Sequence, residues 1–275
     1  MDELIIEAGR AEAHYWKDLW RYRDLFYFLA WRDLLVRYKQ TVFGVLWAVL
    51  RPFLTMVIFV IIFSRVAQLP SDGIPYAILV LGGMLPWQFF ATSLTESSGS
   101  LISNANLITK IYFPRIILPA SSIIVAMVDF AITLALLVAI MVWYRYVPPA
   151  RIVLLPAFVI LALISALGPG LIATALNVKY RDFRFVIPFV VQFGLYVSPV
   201  GFKSSVIEEK LGPIARLVYS LNPMVGVIDG FRWCIGAEQS LHLGALAVSV
   251  AMSLGLMAAG IWFFRRTEKG FADVI

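Results

Sequence analysis

The stretch "IVLLPAFVILALISALGPGLIATALNVKYRDFRFVIPF", Ile152 to Phe189, decides how this chain folds. Ile152–Val178 carries no charge and exceeds the roughly 20 apolar residues a helix needs to cross the hydrocarbon core. Four charges then crowd into "NVKYRDFR": Lys179, Arg181, Asp182 and Arg184. Beyond them Phe185–Phe202 is apolar again, with Pro188 and Pro199 marking bends or a broken end. Cations between two apolar runs read as a tight turn on the inner face of a membrane.

Working outward, the same block pattern recurs. Ile74–Thr95 and His242–Phe264 are charge-free, Ile116–Tyr144 is interrupted only by Asp129, and Val42–Ser64 contains Arg51. The chain is 61% hydrophobic and 15% charged, where soluble domains carry about 25% charged residues. The expected fold is an all-α integral membrane protein, one domain over residues 1–275. Its six transmembrane helices fall at about 42–67, 74–98, 116–145, 152–178, 185–202 and 242–264.

An even number of spans puts both termini on one side. Sixteen of the 23 basic residues cluster in the N-terminal arm through Arg51, near Lys110 and Arg115, in the quoted turn, and in the tail Arg265, Arg266 and Lys269. That side is cytoplasmic by the positive-inside rule. The net charge of +6 is thus spread along one membrane face, which argues against nucleic acid as a partner. The N-terminal "MDELIIEAGRAEAHYW" lacks the apolar core of a secretory leader. Cys234, the one cysteine, reads as a buried structural thiol, and His14 and His242 lack ligand-spaced companions, so no metal site is expected.

Three segments look ordered but too short to span. Residues 18–41 read as an interfacial helix at the inner leaflet, with Asp33 and Arg37 in the favourable i,i+4 order. In residues 104–115, Leu107, Ile108, Ile111 and Tyr112 share one helical face after a possible Asn104 N-cap, and Pro114 stops the helix. That stripe fits either a partner's groove or the chain's own loops. Residues 211–235, cut by Pro213, Asn222–Pro223, Asp229 and Arg232, read as re-entrant outer helices.

This arrangement resembles the transmembrane subunit of ABC-2-type polysaccharide exporters, the O-antigen, capsule and teichoic-acid export permeases. The resemblance runs through "WRDLLVRYKQTVFGVLWAVLRPF" (Trp31–Phe53), "KIYFPRIILP" (Lys110–Pro119), "NVKYRDFRFVIPF" (Asn177–Phe189) and "NPMVGVIDGFRW" (Asn222–Trp233). It covers about Leu19 to Arg266. It implies a multi-pass protein of the bacterial inner membrane, a second copy of the chain, two cytoplasmic ATPase subunits that use ATP and Mg, and a polyprenyl-pyrophosphate-linked glycan as cargo. Residues 104–115 would be the coupling helix, with Leu107, Ile108, Ile111 and Tyr112 toward the ATPase. Residues 211–235 would be gate helices, held by Pro213, Asn222, Pro223 and Arg232. Arg51 departs from the resemblance, which more often has a neutral or acidic residue there.

The residues themselves agree with that division of labour. The chain has no G-x-x-x-x-G-K-[ST] and no acid/base or nucleophile set, so it is not expected to be an enzyme or to hold a cofactor. A pyrophosphate head calls for cations at the inner leaflet, and Arg32, Arg37, Lys39 and Arg51 are the candidates, with anionic membrane lipids as the alternative partner. Sugars call for aromatic surfaces: Trp47, Phe59, Phe63, Trp87 and Phe90 are channel-lining candidates, whereas Tyr76 reads as an interface anchor. Gly82-Gly83 and Gly168-Pro169-Gly170 permit close helix approach, or bends where a dimer opens. Asp129 fits either ion coupling or a hydrogen bond to a neighbouring helix. An ABC-2 permease for a drug or small lipid, an ion-coupled secondary transporter and a non-transporting scaffold are the competing classes.

Overall fold

A computed structural model of the chain describes residues 11–39, 44–66, 68, 74–237 and 240–271, excepting the side chains of 11–14, 44, 45 and 65. Residues 1–10, read above as lacking a leader's apolar core, the boundaries at 41, 42 and 67, and the His14 side chain lie outside the described set. Among the described residues the chain is helical, with no strand. It is an all-α integral membrane protein.

The helices in order are α1 (Ala11–Arg21), α2 (Arg23–Lys39), α3 (Gly44–Val60, continued by a π-helical Ile61–Val66), α4 (Tyr76–Ser103), α5 (Ala105–Lys110) and α6 (Ile117–Trp143). After them come α7 (Leu155–Lys179), α8 (Phe183–Val197), α9 (Ser205–Leu211), α10 (Pro213–Tyr219), α11 (Pro223–Ile235) and α12 (Leu243–Thr267). Five long apolar helical stretches, Leu46–Ser64, Tyr76–Ser103, Ile117–Trp143, Ala150–Lys179 and Leu243–Gly270, are fit to cross a membrane. The sixth expected span is shorter. α8 has 15 residues, about 22 Å of helix against a core near 30 Å. Pro199 cannot continue it, and the buried non-helical segment 198–201 follows.

α4 is the central helix. Ile78, Leu79, Val80 and Leu81 are four consecutive buried residues, so every face of that turn is covered. α6, α7, α8, α11 and α3 all pack on it. Where neighbours come closest, glycine is required. A Cβ on Gly168 would strike the backbone of Leu256, and one on Gly260 the backbone of Gly168, which seats α12 on α7. A Cβ on Gly82 or Gly83 would strike Ile235 or Arg232 of α11. These glycines serve packing inside one subunit rather than bends at a dimer seam. The same enclosure corrects Tyr76. It is buried beneath the segment after α8, with its hydroxyl donating to Gly201 O at 3.4 Å, and is not an interface anchor.

A second core gathers at one end of the bundle. Tyr15, Leu29, Leu101, Ile108, Phe113, Ile117, Val178, Phe264 and Phe271 pack together there. The start of the chain, the α4–α5–α6 link, the end of α7 and the end of α12 therefore share one end. The Tyr15 hydroxyl donates to Glu268 at 3.2 Å across that junction.

The interfacial segment differs from its expected form. Helix is already present at Ala11, ahead of the expected start, and a turn at Tyr22 divides it into α1 and α2. Arg32 reaches Asn104 at the end of α4, while Arg37 reaches Glu96, about two turns further along the same helix. α2 thus slants along α4 and α6 instead of lying flat throughout.

Candidate functional site

A cavity of about 680 Å³ opens between the end of α2, α3, α4 and α6. Arg37 Nη2 lies 2.7 Å from Asp129 Oδ2 and its Nη1 lies 3.2 Å from Glu96 Oε1. The Tyr38 hydroxyl donates to the other Asp129 oxygen. The intramembrane acid is therefore hydrogen-bonded to a neighbouring helix, the second of the two readings given above for it. The expected Asp33–Arg37 pair is absent among the described residues, because Asp33 is taken by adjacent Arg32 at 2.7 Å.

Arg51 forms part of the opposite wall, with Trp47 one turn before it and Thr55 one turn after. It is exposed and has no ion pair among the described residues. Gln88, Thr92 and Thr133 add uncharged polar groups. Of the four predicted cations, then, Arg37 and Arg51 meet at one cavity. Arg32 is engaged with Asp33 and, at 2.9 Å, with Asn104, and Lys39 sits exposed at the end of α2, outside the lining.

The predicted aromatic set divides. Trp47 lines the cavity and is 59% exposed. Phe59 and Phe63 pack on each other at 5.4 Å and against the main core, where Phe63 sits over Gly201. Trp87 is buried on Gly194 of α8, and Phe90 is 5.4 Å from it, so this pair joins α4 to α8 and stands outside the lining of the cavity above. An aromatic row that sequence reading missed lies outside. Phe185, Phe189, Phe193 and Tyr196 are exposed along α8, with Phe189 and Phe193 stacked at 6.2 Å. Their spacing of four, four and three residues was the available signal.

At the end holding the second core, the stripe on the link does not stay whole. Ile108 is buried in the second core and Leu107 is half-buried against it, while Ile111 and Tyr112 are exposed. α5 ends at Lys110, before Pro114 acts. Asn104 occupies the N-cap position without capping, because its amide donates to Ser100 O and its carbonyl oxygen accepts from Arg32. In the nearby turn the charges are solvated. Lys179 lies over Tyr180 and Arg184 over Phe185, and Asp182 has no ion pair among the described residues.

At the opposite end of the bundle, α11 enters and stops. Asn222 caps it by accepting from Met224 N at 3.0 Å and also donates to Ser198 Oγ. Pro223 takes the first helical turn, where its missing N–H costs nothing, and Gly236 closes the helix at φ +86°. Pro213 likewise starts α10. Arg232 is fully buried and donates to Phe202 O at 2.6 Å and Val200 O at 2.7 Å, so it staples the segment after α8 to α11. Ser204 donates to the buried Asp229, and Arg216 contacts both Asp229 and Glu208. Two helices too short to span are thus fastened by buried charge.

The ABC-2 type transporter family matches residues 24–235. The chain belongs to the ABC-2 type transporter family. Among its relatives are the O-antigen export system permease proteins RfbA of Myxococcus xanthus and Klebsiella pneumoniae. The first is 28% identical over 259 residues, covering 94% of this chain and 98% of the relative, and the second is 28% identical over 255 residues, covering 92% and 95%. The polysialic acid transport protein KpsM of Escherichia coli is 24% identical over 235 residues, covering 82% and 88%. In ABC-2 terms, the matched region begins inside α2 and ends with α11, so it holds both the Arg37–Arg51 cavity and the buried outer charges.

Proposed function

We propose that this chain is the permease subunit of an ABC exporter that carries a lipid-linked polysaccharide across the bacterial inner membrane. The end-to-end match to O-antigen export permeases carries this reading. The active unit is two copies of the chain with two ATPase subunits, which bind and hydrolyse ATP with Mg. Both termini and the end holding α1, the link and the Lys179–Arg184 turn face the cytoplasm, which follows from the distribution of basic residues.

Physical features of the subunit support each role. Arg51 is an exposed cation beside a membrane cavity, and it supplies the free charge for a pyrophosphate head. Arg37 is already neutralised by Asp129 and Glu96, so it shapes the wall and places α2. The exposed aromatic row on α8 offers flat faces to sugar rings, and the exposed apolar residues of α3 and α8 offer surface to the second copy. Ile111 and Tyr112 present the link to the ATPase. Asp229, Arg216 and Arg232 hold the gate helices until the subunits move.

The test is reconstitution with the ATPase in proteoliposomes and a fluorescent polyprenyl-pyrophosphate oligosaccharide. ATP-dependent loss of the label from the donor leaflet is expected. Transport that needs an ion gradient but not ATP, or ATPase stimulation by drugs and not by the glycolipid, would overturn the reading.

A further inference from the structure

A second cavity is separate from the one just described and has a different chemistry. It measures about 950 Å³ and lies between α1, the segment Tyr112–Arg115 and the last turns of α12. The two cavities share no lining residue. Its wall on α12 is built in two storeys. Ala258, Ile261 and Trp262 come first, and Arg265, Arg266 and Lys269 follow within about two helical turns. Arg115 adds a fourth cation from across the groove, and among the described residues the lining holds two carboxylates, Asp18 and Glu268.

We propose that this groove binds the phosphate head of an anionic glycerophospholipid, with an acyl chain along Ala258 and Ile261. The order of the wall fits an amphiphile. The apolar storey belongs to a membrane-spanning helix and the cationic storey to its end. Trp262, 60% exposed and capped by Arg266 at 5.5 Å, marks the boundary between them. Arg265 is stacked over Tyr15 at 4.1 Å, and its Nε is buried without a hydrogen-bond partner. A donor withdrawn from water in this way is costly until an acceptor arrives, and a phosphate oxygen in the groove is such an acceptor. Basic pockets between membrane helices on one leaflet are the usual place for anionic headgroups. The groove also joins α1 to the link and to the chain's end, so a bound lipid braces the same junction as the Tyr15–Glu268 hydrogen bond. The argument uses no property of the transported cargo.

The test measures binding of dioleoyl phosphatidylglycerol to the purified full-length protein by native mass spectrometry, with dioleoyl phosphatidylcholine as the uncharged-head control. The triple variant Arg265→Gln, Arg266→Gln, Lys269→Gln is expected to lose at least ten-fold in phosphatidylglycerol retention. Arg51→Gln is expected to keep it. Where the triple variant folds poorly, Arg266→Gln alone, an exposed side chain, is expected to weaken retention about three-fold. Equal retention by these variants overturns the site, as does equal loss in Arg51→Gln, which would move the lipid to the other cavity. Displacement by millimolar inorganic phosphate also overturns it, because the acyl chain would then contribute nothing. Loss of the ATPase with lipid retained assigns the groove to protein docking and overturns it too.

Discussion

The guanidinium of Arg37 at the end of α2 lies 2.7 Å from the carboxylate of Asp129 near the middle of α6. This pair converts two groups that are costly in a membrane into one tie between an N-terminal helix and a transmembrane helix. It also explains the slant of α2, because Arg37 can reach Asp129 only if the last turns of α2 run beside α6.

Breaking the tie should cost stability before it costs chemistry. Asp129→Asn takes one charged partner from Arg37, and a lost charged hydrogen bond removes about 1.5–3 kcal/mol. A lower melting temperature in detergent is expected for Asp129→Asn and for Arg37→Gln, with the double variant falling less than the sum. ATP-driven export should remain insensitive to an imposed proton gradient. Additive losses, or export that follows the gradient, would contradict the tie.

Arg51 should behave in the opposite way. It has no ion pair among the described residues, so Arg51→Gln is expected to shift stability by no more than about 0.5 kcal/mol. Loss of one charged hydrogen bond to a phosphate, about 1.5–3 kcal/mol, corresponds to ten-fold or more in cargo affinity. The measurement is transport rate against glycolipid concentration, where Arg51→Gln raises the half-saturating concentration and Arg51→Lys recovers part of it. An unchanged concentration dependence would remove Arg51 from headgroup binding.

How much of this could be read without coordinates follows from range. The long spans were legible because each is an apolar run broken by at most one charge, and α11 was legible because Asn222–Pro223 is a local start signal. The Arg37–Asp129 pair was not, since its members stand on different helices and adjacent Arg32 competes for Asp33. Tyr76 and Trp87 were misplaced for a related reason. Aromatics suit an interface, a channel or a core alike, and only the segment after α8 and Gly194 bury them. The row on α8 obeys a simple period, but the same period in an apolar helix equally fits a buried face.

The division of the link stripe gives a paired test. Ile108 is 7% exposed in the second core, so Ile108→Asp buries an unpaired carboxylate and should prevent accumulation of folded protein. Ile111 is 52% exposed, so Ile111→Asp should accumulate normally and lose the co-purifying ATPase. Membrane yield and pull-down of the ATPase distinguish the two. Retention of the ATPase by Ile111→Asp at normal yield would show that the exposed end of the stripe is not the docking surface.

The aromatic row on α8 should act through ring faces and not through bulk. Replacing Phe189 and Phe193 by Leu keeps apolar surface against lipid or a second copy while removing the stacked pair. An aromatic contact is worth about 0.5–1.5 kcal/mol, so export should slow several-fold while dimer yield stays level. Trp at both positions should preserve the rate. Equal rates for the Leu and parent proteins would leave the row a purely structural surface.

The outer hairpin offers a pH test. Arg216 donates to Glu208 at 2.5 Å, and this hydrogen bond holds the Glu208 carboxyl below its ordinary range. A carboxylate with a depressed folded pKa adds stability above its unfolded pKa and loses it as pH falls through the folded value. The contribution is therefore complete near neutrality, begins to fade at the ordinary glutamate range of about 4.3, and is gone only below the depressed folded value. Melting curves of the parent protein and Glu208→Gln should differ at pH 7 and converge as the pH drops toward 3, because a protonated Glu and a Gln present the same neutral group to Arg216. A gap that persists unchanged at pH 3 would mean that Glu208 supports α9 by shape, and that the charge on Arg216 is answered by Asp229 alone.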